Sequence, residues 1–369
     1  MRIGIDARAL TATHLKGIGR YCENLICSLS RIYAKHDYVL FCSGSSSLPD
    51  RIIGNDHITE VRVQAANGFL WEQWALPLAI RKNQIDVFHS PANSTMLWTP
   101  CPTILTLHDT MTHQYARSWG GKENIYWNTL QTIAYRRLNK IIAPSQFSKS
   151  QICAEFKINP DRVEVIYQGV SSRFRVMDRE AVEMQLKSFK LPNPFIFAVG
   201  SKLERKNIRT LIEAFDGISQ KVGRLELVIA GLQGYQPIEQ AVNALRDPSR
   251  VRLLGYINEE ELIAFYNRAA LFIFPSLNEG FGIPPVEAMA CGAPVIASNA
   301  SCIPEVVGDG GLLVDCKTPE PLAVAMAQVL ANTTVRDSLR SNGIARAKHF
   351  TWEETARKTL KVYEQAAQS

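Results

Sequence analysis

Short apolar runs alternate with amphipathic stretches along the chain, and the alternation restarts near residue 194. Before the restart, runs such as RIGIDAR, YVLFCSG and PTILTLHD each end in a turn or a polar residue, with helical patterns between them. After it, PFIFAVGS, LELVIAG and LFIFPS repeat the arrangement. Such alternation predicts parallel sheets covered by helices. We therefore expect an α/β fold of two doubly wound Rossmann-like domains that face each other across a cleft, with ligands bound outside the carboxyl ends of the strands.

The length also indicates two domains, because 369 residues are more than one ordinary hydrophobic core accommodates. We expect an N-terminal domain over residues 1–175, a linker over 176–193 and a C-terminal domain over 194–350. Polar residues and prolines mark the linker. The final helix, in residues 351–369, could pack back on the first domain or on the second.

No apolar run approaches the roughly 20 residues that cross a bilayer, and the start MRIGIDARAL lacks the pattern of a signal peptide. The eight cysteines show neither CxxC nor Cys/His ligand spacing, so we interpret them as reduced thiols. These features predict a cytoplasmic protein, either free or at the cytoplasmic face of a membrane, with no nucleic acid among its partners.

The positive charge is concentrated in residues 113–149. This segment holds six Lys or Arg and one Glu, a balance of +5 in a chain whose net charge is +6. Five tyrosines and tryptophans are interleaved with the basic residues. Such a run is either the solvated face of an ordinary helix or a contact for an anionic partner.

The segment PSLNEGFGIPPVEAMACG carries the clearest chemical pattern. A strand ends at Ser276, and a glycine-containing loop with Glu279 precedes a helix opened by Pro284 and Pro285. Glycines and a helix N-terminus suit a phosphate, because backbone N–H groups and the helix dipole point at it. Two carboxylates, Glu279 and Glu287, flank this turn, and sugar or ribose hydroxyls are the partners that fit them.

The same segment resembles the Glu–seven residues–Glu signature of the retaining glycosyltransferase family four, which has the GT-B fold. IDAR, GIGRY, LHD, APSQFS, VGSKLERKN, IAGLQG, LLGYI and CIPEVVGDGG extend the likeness over most of the chain. The resemblance implies that Glu279 contacts hydroxyls of the donor sugar and Glu287 the ribose hydroxyls. It also implies that the turn formed by Gly280, Phe281, Gly282 and Ile283 contacts the sugar and phosphates.

Arg205 and Lys206 follow the strand PFIFAVG, at its carboxyl end. Fixed cations there would stabilise the charge that develops on a departing diphosphate, and the resemblance implies this role for Lys206 and for Arg205. Many family members carry Arg directly after the glycine, where this chain has Ser201, which we include among the donor-binding residues. A solvated basic turn is the alternative.

Gly17 and Gly19 open a helix after the first strand. Cys22 replaces the third glycine of GxGxxG, so a nicotinamide dinucleotide site is poorly supported. The resemblance implies that this glycine loop closes over the donor phosphates, whereas the glycines alone fit a tight turn equally well. Asp6 and Arg8 of IDAR are interpreted as structural.

His108 ends the strand PTILTLHD, and the resemblance places it beside the transferred sugar as a catalytic candidate with Glu279, Lys206 and Arg205. Asp109, Gly231 and Tyr256 are further candidates for the site. A lone histidine is otherwise more often a structural residue.

The chain contains no Asp-x-Asp, the pattern with which many transferases hold a metal and a diphosphate. The resemblance implies metal-independent transfer with retention and no cofactor. The charge and aromatic residues of 113–149 lead us to expect a glycan or polyprenyl-diphosphate-linked acceptor that this segment meets at the inner membrane. GDP-mannose is the expected donor, ahead of UDP-sugars. A nucleotide-sugar epimerase or phosphorylase on the same fold and a non-catalytic nucleotide-binding subunit remain as alternatives.

Overall fold

The computed structural model describes residues 1–10, 17–44, 48–119, 121–191, 194–219 and 223–368, with the side chain of Trp119 left outside this description. The chain divides into two compact units. Unit 1 contains residues 1–169 and 351–369, and unit 2 contains residues 170–350. Within the described ranges, no helix has the length and apolar character needed to cross a membrane.

Unit 1 is built on a seven-stranded parallel sheet in the order β3-β2-β1-β4-β5-β6-β7. Its strands are β1 (Arg2–Asp6), β2 (Asp37–Ser43), β3 (Ile58–Val63), β4 (Val87–Ser90), β5 (Thr103–Thr106), β6 (Lys140–Ala143) and β7 (Val163–Val165). The order reverses between β1 and β4, as in Rossmann-like domains.

Helices cover both faces of this sheet. The α-helices are α1 (Gly17–Ile32), α2 (Gly68–Leu70), α3 (Leu76–Lys82), α4 (Met111–Trp119), α5 (Gly121–Ile125), α6 (Thr132–Arg137) and α7 (Gln146–Phe156). Two π-helical stretches, Trp71–Ala75 and Tyr126–Gln131, join α2 to α3 and α5 to α6. Short 3-10 helices lie at Arg8–Leu10 and Pro160–Arg162.

Unit 2 repeats the plan with a six-stranded parallel sheet in the order β10-β9-β8-β11-β12-β13. The strands are β8 (Phe195–Val199), β9 (Glu226–Ala230), β10 (Val251–Leu253), β11 (Leu271–Phe274), β12 (Val295–Ser298) and β13 (Leu312–Val314). Two parallel sheets with Rossmann-like strand order confirm the predicted fold class.

The helices of unit 2 flank its sheet in the same way. They are α8 (Arg179–Leu186), α9 (Ile208–Ser219), α10 (Gln236–Asn243), α11 (Glu259–Arg268), α12 (Ile283–Ala290), α13 (Ile303–Val307), α14 (Pro319–Ala331) and α15 (Thr333–Ala347). The 3-10 helices are Lys187–Phe189, Glu204–Lys206, Pro248–Arg250 and Gly308–Gly310.

The final helix α16 (Trp352–Ala367) belongs to unit 1 and packs on α1. Its Tyr363 is fully buried, and the Tyr363 hydroxyl lies 2.7 Å from Nδ1 of His89 in β4. Gly169 leaves room for the helix start, since a Cβ on this glycine would clash with the backbone of Trp352. The helix therefore completes the core of unit 1.

The boundary between the units differs from the predicted linker, residues 176–193. Residues 192–193 lie outside the described residues, but the rest of that segment contains α8 and belongs to unit 2. Val182 and Leu186 of α8 are buried, and the helix packs on α11. The polar composition hid this helix, because only one narrow face of it meets the core.

Candidate functional site

In unit 2, the strand order reverses between β8 and β11, and this is where ligands bind in open α/β sheets. Ser201 follows the carboxyl end of β8, and the 3-10 helix Glu204–Lys206 comes next. Ser276 and Glu279 follow the carboxyl end of β11. The predicted residues after the two strands therefore lie at one edge of the sheet.

Three of these side chains form what we call the cation–carboxylate cluster: Arg205, Lys206 and Glu279. Nζ of Lys206 lies 2.6 Å from Oε1 of Glu279, and an η nitrogen of Arg205 lies 2.8 Å from Oε2. The same Arg205 nitrogen donates to the carbonyl of Asn278 at 2.7 Å. Nζ of Lys206 also lies 5.2 Å from the ring centre of Phe274. The cluster thus carries two cations for one carboxylate.

The electrostatics of the cluster favour the ionised form of Glu279. Burial alone would raise the pKa of this carboxyl group, but the charges of Lys206 and Arg205 outweigh that effect. Hydrogen bonds from Lys206 and Ser276 act in the same direction, so the pKa of Glu279 lies below its ordinary value. Glu279 is therefore a fixed, charged hydrogen-bond acceptor.

Two residues that the sequence reasoning did not identify hold this geometry. The Ser276 hydroxyl donates to Oε1 of Glu279 at 2.6 Å. Asn207, in the left-handed conformation with φ 56°, donates through its amide to the Cys316 carbonyl at 2.6 Å. A serine directly after a buried strand in the sequence PSLNE was the available signal for Ser276. The sequence around Asn207 contains no comparable signal, since the role of this residue depends on the tertiary fold.

The N-terminus of α12 lies directly after Glu279 in the chain. Gly282 caps it with φ 80°, a conformation that glycine adopts without strain. The Phe281 ring is buried against Phe350, with ring centres 5.7 Å apart. Gly280 and Phe281 also make contacts within the chain, and these contacts hold the turn in its conformation.

Glu287 lies in the second turn of α12 and is buried. The Tyr266 hydroxyl donates to its Oε2 at 3.3 Å. Both carboxylates of the Glu–seven residues–Glu pattern are thus buried and hydrogen-bonded on one stretch of chain. Glu279 thus precedes the N-terminus of α12 in the chain, and Glu287 follows it.

The other candidates of unit 2 have different environments. Gly231 follows β9 with φ 92°, and a Cβ there would lie 2.7 Å from the Gly200 carbonyl oxygen. The positive φ and the lack of room for a Cβ therefore require glycine at this position, whether or not a ligand binds there. Tyr256, after β10, is exposed. The Ser201 hydroxyl accepts from the backbone N–H of Leu203 at 3.5 Å, which is a turn contact.

In unit 1, His108 follows β5 and is buried. Its Nε2 lies 2.9 Å from the Pro91 carbonyl, which can only accept, so Nε2 carries the proton. Nδ1 then accepts from the Gln168 amide at 3.3 Å, and Tyr21 packs edge-on against the ring. Burial lowers the pKa of His108. The lowered pKa favours the neutral imidazole, and both of its nitrogens have hydrogen-bond partners within unit 1.

The remaining candidates of unit 1 also have local roles. Asp109 accepts at Oδ1 from the backbone N–H of Met111 at 2.9 Å, at the start of α4. Gly17 and Gly19 lie in the first turn of α1, not in a loop before it. The preceding residues 11–16, where a phosphate-closing loop would run, lie outside the described residues.

Arg8 and Asp6 form a buried network at the end of β1. An Arg8 η nitrogen lies 2.6 Å from Asp6 and 2.8 Å from Glu72, whose side chain is buried. The Arg8 guanidinium also lies 4.3 Å from the ring centre of Trp71. Tyr126 donates to the other Glu72 oxygen at 2.6 Å. The network joins β1 to the two π-helical stretches and fits the structural interpretation of IDAR.

None of the described residues forms a group of three or more His, Cys, Asp or Glu side chains placed to hold a metal ion. The eight cysteines are not joined in disulfides. Burial raises the pKa of Cys302, next to Glu279, to about 12, so this thiol is protonated near neutral pH.

The lowered pKa of Glu279 predicts a pH-dependent stability. A carboxyl group whose pKa is lower in the folded state stabilises the fold above its unfolded pKa, and this contribution is lost as pH falls through the folded pKa. We expect the unfolding free energy to fall below about pH 4.5, and to fall less in Glu279→Gln. Denaturant titrations of both proteins from pH 7 to pH 3 measure this, and equal pH slopes would contradict the ion pairing.

Comparisons with known proteins agree with the geometry. The model described as Glycosyltransferase Family 4 matches residues 15–174, and that described as Glycosyl transferases group 1 matches residues 182–346. An uncharacterised glycosyltransferase of Methanocaldococcus jannaschii is 30% identical over 266 residues, covering 72% of this chain and 68% of that protein. The chain belongs to the glycosyltransferase family.

Two further comparisons give the extent of the likeness. O-antigen chain mannosyltransferase B of Escherichia coli is 32% identical over 227 residues, and the match covers 60% of each chain. The chain thus spans less than two thirds of that relative. Sucrose-phosphate synthase of Thermosynechococcus elongatus shares the fold, with a TM-score of 0.78, 22% identity and 98% of both chains covered. The fold is that of GT-B glycosyltransferases.

Proposed function

We propose that this protein is a retaining glycosyltransferase that moves mannose from GDP-mannose to a glycan carried on a lipid, without a metal ion. The cation–carboxylate cluster at the reversal point between β8 and β11 carries the proposal. It combines cations suited to a diphosphate with a carboxylate suited to sugar hydroxyls, beside the N-terminus of a helix.

The state of Arg205 supports an oxygen-rich ligand at this edge. Its Nε is buried and finds no hydrogen-bond partner within the part of the chain that the structure describes. A buried donor without a partner costs free energy, and a phosphate oxygen would satisfy it. Since two cations share one carboxylate, the cluster keeps an excess positive charge that a diphosphate would neutralise.

The proposed reaction breaks the bond between the sugar C1 and the β-phosphate oxygen, and the electron pair stays on the phosphate. A new bond forms between C1 and an acceptor hydroxyl oxygen on the same face of the sugar. The hydroxyl proton passes to the departing phosphate. Lys206 and Arg205 stabilise the charge that grows on this phosphate, while Glu279 and Glu287 hold hydroxyl groups of the donor.

The choice of mannose rests on similarity, since the cluster itself would accept any nucleotide diphosphate sugar. The likeness to an O-antigen chain mannosyltransferase supports mannose as the transferred sugar and a glycan chain as the acceptor, and we propose GDP as the nucleotide and a lipid as the carrier of that glycan. With a lipid-linked acceptor, we propose that the enzyme acts in the cytoplasm, at the inner face of the membrane that holds that lipid.

The direct test is a donor screen followed by product analysis. Thermal unfolding is measured with GDP, UDP, GDP-mannose and UDP-glucose, and the stabilising donor is then incubated with a synthetic polyprenyl-diphosphate oligosaccharide. We expect GDP and GDP-mannose to raise the unfolding temperature, and the product to contain an α-linked mannose by NMR.

Three other outcomes would replace the proposal. Stabilisation and transfer with UDP-sugars alone would change the donor. Release of an altered nucleotide sugar without an acceptor would indicate an epimerase. Nucleotide binding with no product from any donor would indicate a non-catalytic subunit.

Transfer is expected to persist in excess EDTA, because the cluster provides fixed cations for the diphosphate and the chain lacks Asp-x-Asp. Product formation is measured with and without EDTA, and with added magnesium or manganese. An activity that disappears with EDTA and returns with either metal would contradict the metal-independent mechanism.

A further inference from the structure

The helix that runs from α2 through α3 exposes a row of large apolar side chains. Leu70, Trp74 and Leu78 follow one another at four-residue spacing, which places them on one helical face, and all three are exposed. Phe69, at the start of the helix, is exposed as well. Contiguous exposed apolar surface of this kind marks an interaction site more often than isolated residues do.

A loop that is hydrogen-bonded to this helix carries a second exposed tryptophan. The backbone N–H of Leu97 donates to Oε1 of Gln73 at 2.9 Å, which ties the loop to the helix beside Trp74. Trp98 follows in this loop and is exposed. We call Leu70, Trp74 and Leu78 the apolar stripe, and leave out Phe69, whose ring lies edge-on to Tyr126 with ring centres 6.2 Å apart.

The opposite face of the helix fixes the stripe in place. Trp71, Leu76 and Ile80 are buried in the core of unit 1, and Glu72 is held in the network with Arg8. The helix cannot rotate to bury the stripe without breaking these contacts. The stripe is therefore a permanent surface of the folded unit.

The charges beside the stripe decide what it fits. Arg81 and Lys82 end the helix, and both are exposed. The single acidic residue between residues 64 and 85 is Glu72, which is buried and paired with Arg8. Asp86, just beyond this stretch, is exposed and accepts from the backbone N–H of Arg2. Exposed tryptophan and leucine side chains beside two basic residues suit an anionic lipid surface.

We propose that the apolar stripe lies in the interface of an anionic phospholipid bilayer, with Arg81 and Lys82 against the lipid phosphates. No donor or acceptor chemistry is required for this docking, so it stands apart from the proposed transfer reaction. It would, however, bring unit 1 to the surface on which a lipid-linked acceptor resides.

The stripe fits a membrane better than residues 113–149, the segment selected from sequence charge. Within that segment, Arg117 pairs with Glu155 and Lys140 with Glu164, so part of its charge is compensated. Tyr135 is fully buried. The side chain of Trp119 lies outside the described residues.

The test is co-sedimentation of the full chain with vesicles of phosphatidylcholine, alone or with about one third phosphatidylglycerol. The stripe variant is Trp74→Ser/Leu78→Ser, at positions 66% and 59% exposed. The matched control is Met184→Ser/Val324→Ser, at positions of unit 2 that are 75% and 56% exposed. Unchanged thermal unfolding establishes that each variant is folded.

We expect the native chain and the control to bind the anionic vesicles, and the stripe variant to bind them at least about tenfold more weakly. Arg81→Glu/Lys82→Glu should weaken binding to the anionic vesicles more than to the neutral ones. Native binding by the stripe variant, with loss only in Arg136→Glu/Arg137→Glu, would overturn the proposal in favour of the basic segment.

Sedimentation equilibrium without lipid distinguishes self-association through the stripe from membrane binding. A native dimer that dissociates in the stripe variant, together with no vesicle binding, would assign the stripe to self-association and overturn the proposal. Because no nucleotide sugar enters these assays, their outcome is independent of whether the proposed transfer reaction holds.

Discussion

Glu279→Gln is expected to lower the turnover of sugar transfer by about 10²-fold or more. Glutamine keeps the size of the side chain and one acceptor oxygen, but it removes the charge that pairs with Lys206 and Arg205. The donor sugar then loses an ionised acceptor for its hydroxyls, and the two cations lose their counter-charge. Initial rates at saturating donor measure the effect.

Glu226→Gln is the matched control, because Glu226 is also an ion-paired carboxylate of unit 2, 3.2 Å from Arg252, and begins β9 at the opposite end of that strand from the site. It should transfer at the native rate. Glu279→Ala is a poorer choice than the sequence alone suggests, since it removes the counter-charge of two half-buried cations together with the volume of the side chain, which lowers stability. A folded Glu279→Gln protein with native turnover would remove Glu279 from the site.

Lys206→Met is expected to lower turnover by about 10²- to 10³-fold and to weaken donor binding. Methionine keeps apolar volume beside Phe274 but removes the charge that would stabilise the departing diphosphate. Because Lys206 and Glu279 are paired, Lys206→Met/Glu279→Gln should lose less activity than the product of the two single losses.

Lys202→Met serves as the control, since Lys202 is an exposed lysine four residues away whose Nζ lies 5.6 Å from the centre of the Tyr235 ring. We expect native rates and native donor affinity for it. Equal kinetics for Lys206→Met and Lys202→Met would show that the diphosphate is held elsewhere.

The sequence predicted the parts of the site that depend on local pattern. Apolar runs placed β8 and β11 correctly, and the residues after them include Lys206 and Glu279. Whether those two side chains meet depends on β8 and β11 being neighbours in the sheet, and the rule for ligand position in doubly wound sheets anticipated this edge. The direct contact between residues 73 positions apart was not predictable from either segment.

Other features of the fold and of the site depend on tertiary contacts, which the sequence pattern does not contain. Strand β7 has three residues, too few to show a period of two. His108 ended a strand as expected, yet Pro91 and Gln168 occupy its ring nitrogens. Likewise, the charge of residues 113–149 gave no sign that Glu155 and Glu164 pair with two of its basic residues.

The composition of unit 1 from two separated pieces of chain has a consequence for biosynthesis. Residues 351–369 emerge from the ribosome only after all of unit 2. Tyr363 and its neighbours in α16 fill the core against α1 and β4. The apolar surface that α16 covers is therefore exposed in the nascent residues 1–169 until α16 has been synthesised. Unit 2 is continuous in sequence and can complete its own core first. We therefore expect unit 2 to complete its core during translation before unit 1 does.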